Sequence, residues 1–438
     1  TDWRKMMFIR FSVENFLSFR DRQSLDMMAV RTCKERREEN TFPLDNKDCL
    51  LRSMALYGAN ASGKSNLFVA MRFCVSFIRG SALDRAASDD IAIVPFLFDG
   101  DSAGKPSCFE LEFTVGDIWY KYGFSVNSKV VVSEWLYARE KDSSALKARF
   151  VRKREDGEDK IEVRPFSGAD DLIIEKTRGN ALFLSTCAGF AVAEAESMLK
   201  ELSSWMFVAA SRSRIQATAH MIDVGECRED VLHFVNMADP SIDDIKIQKV
   251  HYDSDEAGPD GKPLKRIKYR VMTRHRMKGG EGIELPLELL GSLGTQKAFE
   301  LAGPIFRALS HGQLLFVDEL DSRLHPILTR EIIKLFNNAR TNPKNAQLVF
   351  NTHDTNLLNC KVYSAVRKKK EQLLRRDQIY FVERTGEFVS KMYSLVDFKY
   401  EDGASVRNDA SFEKEYLAGV YGAIPFIGDF DFGGDANE

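Results

Sequence analysis

Eight residues, Gly58-Ala59-Asn60-Ala61-Ser62-Gly63-Lys64-Ser65, constrain this chain more than any other feature. The pattern Gly-x-x-x-x-Gly-Lys-Ser has meaning only where a strand feeds the loop and a helix leaves it. Both flanks are present: an apolar run over residues 50–57 precedes the loop, and Leu67, Phe68, Met71, Cys74, Val75 and Ile78 then recur at helical spacing. That context argues against a chance glycine-rich turn. In it the glycines let the backbone wrap phosphate oxygens, while loop N–H groups and the helix N-terminus supply partial positive charge. Gly58, Asn60, Ala61, Ser62, Gly63, Lys64, Ser65 and Asn66 are the expected phosphate-binding set. Lys64 would reach the terminal phosphates and Ser65 would ligate magnesium, so the expected ligands are ATP and Mg2+.

Such a loop demands carboxylates, and Leu314-Leu315-Phe316-Val317-Asp318-Glu319 supplies two at the end of an apolar strand. Ligands of open α/β sheets bind at this strand edge. Asp318 is the expected magnesium ligand and Glu319 the group that polarises the attacking water. A second strand, over residues 347–350, leads into Thr352-His353-Asp354 and puts His353 on the same edge, within reach of the γ-phosphate or the water. A lone histidine is usually structural; this one accompanies two other motifs. The expected catalytic residues are thus Lys64, Glu319 and His353. Gly291-Ser292-Leu293-Gly294-Thr295-Gln296-Lys297, a small polar turn opening a helix, is a weak signal by itself, since Ser and Gly are common caps.

Between the two motif-bearing ends the pattern changes. Residues 91–185 hold β-rich stretches at 109–113, 119–126 and 130–137, separated by charged turns, which predicts an antiparallel elaboration. Residues 188–207 have helical composition. Runs at 245–252 and 265–273 flank a polar stretch over 253–262, which predicts a hairpin with a long tip. After residue 291, helices alternate with strands as in a mostly parallel, helix-covered sheet. Three regions follow: 1–185, the first part of a nucleotide-binding head with its β-rich elaboration; 186–285, an inserted helical and hairpin region; and 286–438, the second part of the head.

In this order the four motifs resemble the ABC-type ATPases of the SMC, RecF and OLD group, over residues 1–80 and 285–430. The resemblance implies an α/β ATPase head whose N- and C-terminal segments build one nucleotide sheet, with a β-rich and helical lobe between them. It puts Gly291 to Thr295 at the position of the signature that caps a nucleotide bound to an opposing subunit, through Ser292 and Gly294. Leu320-Asp321-Ser322-Arg323-Leu324-His325-Pro326 would be the loop that crosses the dimer interface, and Asn15-Phe16-Leu17-Ser18-Phe19 looks like the segment after the first strand in RecF-like chains. Leu293 stands where transporters have glycine, and no glutamine lies between Gln23 and Gln216 to act as the usual Q-loop ligand. Residues 376–383 and 416–425 are similar to a branch found in anti-phage and abortive-infection operons, near the ATPases of PARIS, Rlo and AbiL systems. That likeness implies self-assembly with composite ATP sites and a separately encoded nuclease of Toprim-like fold as effector, with a phage protein or DNA as trigger. The stretch after His353 is too short for the nuclease domain appended in OLD proteins. A RecF-like DNA-binding repair ATPase is the alternative, and a transporter motor subunit a poorer one.

Composition narrows the partners. A formal net charge of −3 excludes a general polycation, so any nucleic-acid contact must be local. Arg266, Lys268, Arg270, Arg274 and Arg276 alternate along the run from residue 265 and fall on one strand face. Such a stripe suits a phosphate backbone or an acidic protein, and equally a solvated face balanced by acids. Arg367-Lys368-Lys369-Lys370 reads as an exposed helix end. Seven scattered cysteines without metal-clip spacing, and no apolar run of bilayer length, predict a reduced cytoplasmic protein with no membrane contact.

Overall fold

The computed structural model describes residues 6–425, except 85, 141–142, 144, 156, 165, 211–213, 258–262, 278–281 and 365–367, and gives the backbone alone at 253–257, 263–264, 290 and 364. Strands Ser53–Tyr57 (β5), Met206–Val208 (β11), Leu314–Val317 (β15), Gln347–Asn351 (β16), Ile379–Arg384 (β19) and Ser390–Ser394 (β20) form one sheet in the order β11-β15-β16-β5-β19-β20. The first five run parallel, and β20 returns antiparallel to β19. Every residue of β5, β15 and β16 is buried, as parallel strands covered on both faces must be. The two-residue alternation sends Leu314 and Phe316 into one core, and Leu315 and Val317 into the other.

The first core lies against an antiparallel sheet of seven strands: Met7–Glu14 (β1), Gln23–Asp26 (β2), Ser107–Val115 (β6), Ile118–Val126 (β7), Val131–Glu140 (β8), Lys147–Glu155 (β9) and Glu158–Val163 (β10). Helix Lys64–Gly80 joins the two sheets through its aromatic residues. Phe68 packs edge-on against Phe316 of the parallel sheet at 5.2 Å, while Phe73 and Phe77 meet Phe109 and Phe124 of the antiparallel one at 5.2 and 5.5 Å. The second core takes helices Ile215–Asp223, Arg228–Ala238, Leu293–His311 and Pro326–Phe336. Beyond them stands a three-stranded sheet of Ile242–Ala257 (β12), Pro263–Arg276 (β13) and Gly282–Pro286 (β14). The expected hairpin is present, and its tip, 258–262, lies outside the described residues.

Strand β1 lies in the antiparallel sheet between β6 and β2, and β5 is what the N-terminal segment contributes to the parallel sheet. Three sequence readings need correction. The apolar run 50–57 is two strands: Cys49–Leu51 (β4) pairs with Thr41–Pro43 (β3), and the chain changes sheets at Arg52, whose buried guanidinium donates to Asn342 O at 3.1 Å. The helical stretch expected over 188–207 is broken: one helix, Phe183–Gly189, ends just as that stretch begins, a second covers Ala193–Leu202, and the apolar triplet Met206–Val208 is drawn into the edge of the parallel sheet beside β15. Residues from the inserted region therefore help to build the head. Finally, the basic run is no helix end: Lys369–Gln372 (β18) pairs with Lys361–Ser364 (β17) in a hairpin. Arg367 lies outside the described residues. All seven cysteines are free. Among the described residues no helix is long and apolar enough to cross a membrane.

Candidate functional site

The parallel strands end at one edge, and the motif residues collect there around a cleft of about 470 Å³. Its walls are Asn60, Ala61, Ser62, Gly63, Lys64, Ser65, Asn66, Asp318, Glu319, His353 and Arg384. The loop after β5 needs its glycines. Gly63 has φ 115°, and a Cβ there would lie 2.3 Å from Ser390 Oγ; Gly58 has φ 156°, and its Cβ would lie 2.2 Å from Val382 O. A side chain at either position is excluded by backbone and by contact.

Lys64 is buried, with Nζ donating to Gly58 O at 2.7 Å and Ala59 O at 2.9 Å. Burial pushes its pKa down to about 8, against the attraction of Asp318, Glu319 and Asp321. Two carbonyl dipoles hold this ammonium without a charge partner among the described residues, so an arriving phosphate would supply what burial removed. Ser65 Oγ donates to Asp318 Oδ1 at 3.1 Å, and Asn351 Nδ2 donates to the same carboxylate oxygen. Oxygen donors of this kind suit Mg2+, and Asn351 Oδ1, buried beside them, has no hydrogen-bond partner among the described residues. Ser65 and Asp318 thus fit the ion, which when bound would neutralise charge on the phosphates.

Glu319 adopts φ 56°, a left-handed conformation rare for its type, and the turn is fixed by Leu320 N–H donating to Asn351 O at 3.0 Å. His353 sits at the mouth, its backbone N–H donating to the Asp321 carboxylate at 3.2 Å. Desolvation first, then the charge of Lys64, lowers the imidazole pKa, so the ring is neutral near pH 7. A neutral ring can donate or accept one hydrogen bond without repelling Lys64.

Ser292 and Gly294 are not part of the cleft of their own chain. Ser292 caps helix Leu293–His311, accepting from Thr295 N at 3.1 Å, and a Cβ on Gly294 would lie 3.1 Å from Arg323 O. The turn is exposed between two apolar side chains, Leu289 (78% exposed) and Leu293 (60%).

Four site residues were missed. Asn351 is the last residue of β16, one beyond the strand end read from the sequence. Ser18 accepts from Asn66 Nδ2 at 2.7 Å, and Ser390 Oγ lies 2.7 Å from Ser18 Oγ and 2.6 Å from Ser62 O. Arg384 ends β19 at the cleft. The rule that found Asp318, a polar residue closing an apolar parallel strand, finds Arg384 as well. Nothing in the sequence singles out Ser390.

A family model described as "AAA domain, putative AbiEii toxin, Type IV TA system" matches residues 53–359, well over half of the chain. No curated protein matches. Among solved structures the chain is similar to the SMC head domain from Thermotoga maritima (15% identity, 88% of this chain and 98% of that one, TM-score 0.36). It is similar also to the SmcHead bound to the C-winged helix domain of ScpA (11%, 88% and 97%, TM-score 0.38) and to the recombination mediator protein RecF-ATP in the RecFOR pathway (11%, 89% and 98%, TM-score 0.33). Likenesses this distant add nothing to the topology already described. By the extent of its family match the chain belongs to the AAA-domain family of the AbiEii-toxin type.

Proposed function

We propose that the chain binds ATP with Mg2+ and hydrolyses it at a site completed by a second copy, and that this cycle of joining and release controls a separately encoded nuclease in an anti-phage defence system. One observation carries the composite site. Lys64, Ser65, Asp318, Glu319 and His353 share one cleft, whereas exposed Ser292 and half-buried Gly294 lie outside it beside exposed Leu289 and Leu293. In the reaction Lys64 would hold the terminal phosphates, Glu319 would orient and deprotonate the water, and neutral His353 would bond the γ-phosphate. The partner's Ser292 edge would close the site against water. The family's description supports the defence setting.

Mixing two disabled chains tests the composite site. Lys64→Ala and Ser292→Arg proteins, each inactive alone, should regain ATP turnover when combined, because a mixed pair holds one intact site. Full turnover by a strictly monomeric wild type, or no regain on mixing, would reject it. Control of a nuclease predicts co-purification with the adjacent gene's product and growth arrest on infection; absence of both removes that part alone.

A second reading, a DNA-gripping repair ATPase, draws on β13. Arg266, Lys268, Arg270, Arg274 and Arg276 are all exposed. Val250 and Gln248 stand opposite Lys268 and Arg270 on β12, so no acid lies directly across from these two. Nearer its base the face is balanced: Arg274 lies opposite Asp244 and Glu284, and Arg276 pairs with Asp243 at 3.3 Å. Salt-sensitive, ATP-dependent duplex binding by the isolated chain would favour this reading.

A further inference from the structure

The order of the parallel sheet gives the cleft a direction. β15 and β16, which end at the carboxylates and His353, lie on one side of β5; β19 and β20 lie on the other. With strands about 4.8 Å apart, the Asp318 and Arg384 edges are separated by three spacings, roughly 14 Å. A nucleotide whose last phosphate faces Asp318 and whose phosphate chain threads the loop after β5 therefore carries its base toward β19 and β20.

What waits there is aromatic. The Arg384 guanidinium lies 5.3 Å from the ring centre of Phe98 and 5.1 Å from that of Phe388, and the two rings are 5.1 Å apart. Both rings are open to solvent, at 58% and 52% exposure, while neighbouring Phe96 and Val389 are buried. Phe388 also has φ 63°, a conformation bulky residues rarely adopt and which turns usually assign to Gly or Asn. The turn is held by Phe388 N–H donating to Thr385 O at 2.9 Å, and Arg20 ties it to the loop after β1 through Glu387 at 2.8 Å. Neither packing nor turn geometry calls for an aromatic residue at this point.

We infer that Phe98, Phe388 and Arg384 form the platform on which the base of the bound nucleotide stacks, an inference that rests on the ATP reading above. A purine offers a broad π face to the rings and to the guanidinium. The phenyl rings present no hydrogen-bonding edge, so the platform favours purines over pyrimidines by contact area and does not read adenine against guanine.

Titration calorimetry on the full chain, with ATP, GTP, CTP and inorganic tripolyphosphate as probes, tests this. The Phe98→Ala/Phe388→Ala double variant should bind ATP and GTP about tenfold more weakly, while tripolyphosphate binding stays unchanged. Phe388→Gly should melt no lower than Phe388→Ala, since it relieves the left-handed backbone, yet lose as much ATP affinity; a merely structural phenylalanine would not separate the two. Unchanged ATP affinity in the double variant overturns the platform, as does a parallel loss of tripolyphosphate, or a wild type that binds ATP no better than tripolyphosphate or CTP. A wild type that binds none of these probes refutes the ATP reading itself.

Discussion

Ser390 Oγ lies 2.6 Å from the carbonyl oxygen of Ser62, so that β20, 328 residues further along the chain, props the phosphate loop from behind. Asn66 Nδ2 donates to Ser18 Oγ, and the Ser390 hydroxyl shares its single proton between Ser18 Oγ and Ser62 O. The first strand's following loop, the phosphate loop and the last strand of the sheet are thereby locked together. Gly63, whose missing Cβ leaves room for Ser390, is part of the same fit.

Ser390→Ala removes this prop and leaves the Ser62 carbonyl buried without its donor. The expected loss of stability is about 1–3 kcal/mol. Because the unpaired group lies in the loop itself, ATP affinity should fall as well. Urea unfolding and calorimetry on the same preparation check both, and an unchanged midpoint with unchanged affinity would remove the bracing role.

On the proposed reading, Lys64 should make ATP binding depend on pH. Its free-state pKa is about 8, lowered chiefly by burial, and a bound polyphosphate must raise it. The group that gains the partner is a cation, so its contribution is complete below pH 8 and disappears as pH rises from the free toward the bound pKa. Affinity should weaken by up to about tenfold per pH unit above 8, with proton uptake on binding that appears as a buffer-dependent heat. Lys64→Met should flatten the profile. A wild-type affinity constant between pH 7 and 9.5 would refute the assignment.

The strand–loop–helix around Gly58 to Ser65 and the strand 314–317 were legible because each is defined by residues adjacent in the chain, and the structure has both. The sequence reading failed where long-range pairing decided the outcome. The run 50–57 reads as one strand, but only the partner strands reveal that its first half pairs with β3 and its second with β16 and β19. Met206–Val208 is too short to override a helical neighbourhood by propensity, and its place beside β15 fixes Asp318, whose N–H donates to Val208 O at 2.9 Å. Ser390 and Ser18 are common residues that matter only because tertiary structure brings them together.

Glu319 holds a strained backbone turn, and its proposed part in hydrolysis can be separated from that strain. At φ 56° a side chain with a Cβ pays about 1–2 kcal/mol relative to its relaxed conformation, and glycine does not. Glu319→Gly should therefore be more stable than Glu319→Ala by about 1 kcal/mol, the reverse of the order in an ordinary helix, where glycine is worse by a similar amount. On the proposed mechanism all three variants, Gly, Ala and Gln, lack the water-activating carboxylate and should turn over ATP at least about a hundredfold more slowly. Only Glu319→Gln keeps the side chain's length and hydrogen bonds, so it should bind ATP normally and accumulate as a joined pair on size-exclusion chromatography. If Glu319→Gln turned over ATP at the wild-type rate, the water-activating group would lie elsewhere on the sheet edge, and His353 would be the next residue to replace. If Glu319→Ala proved more stable than Glu319→Gly, the left-handed turn would not be the strained element that the backbone angle indicates.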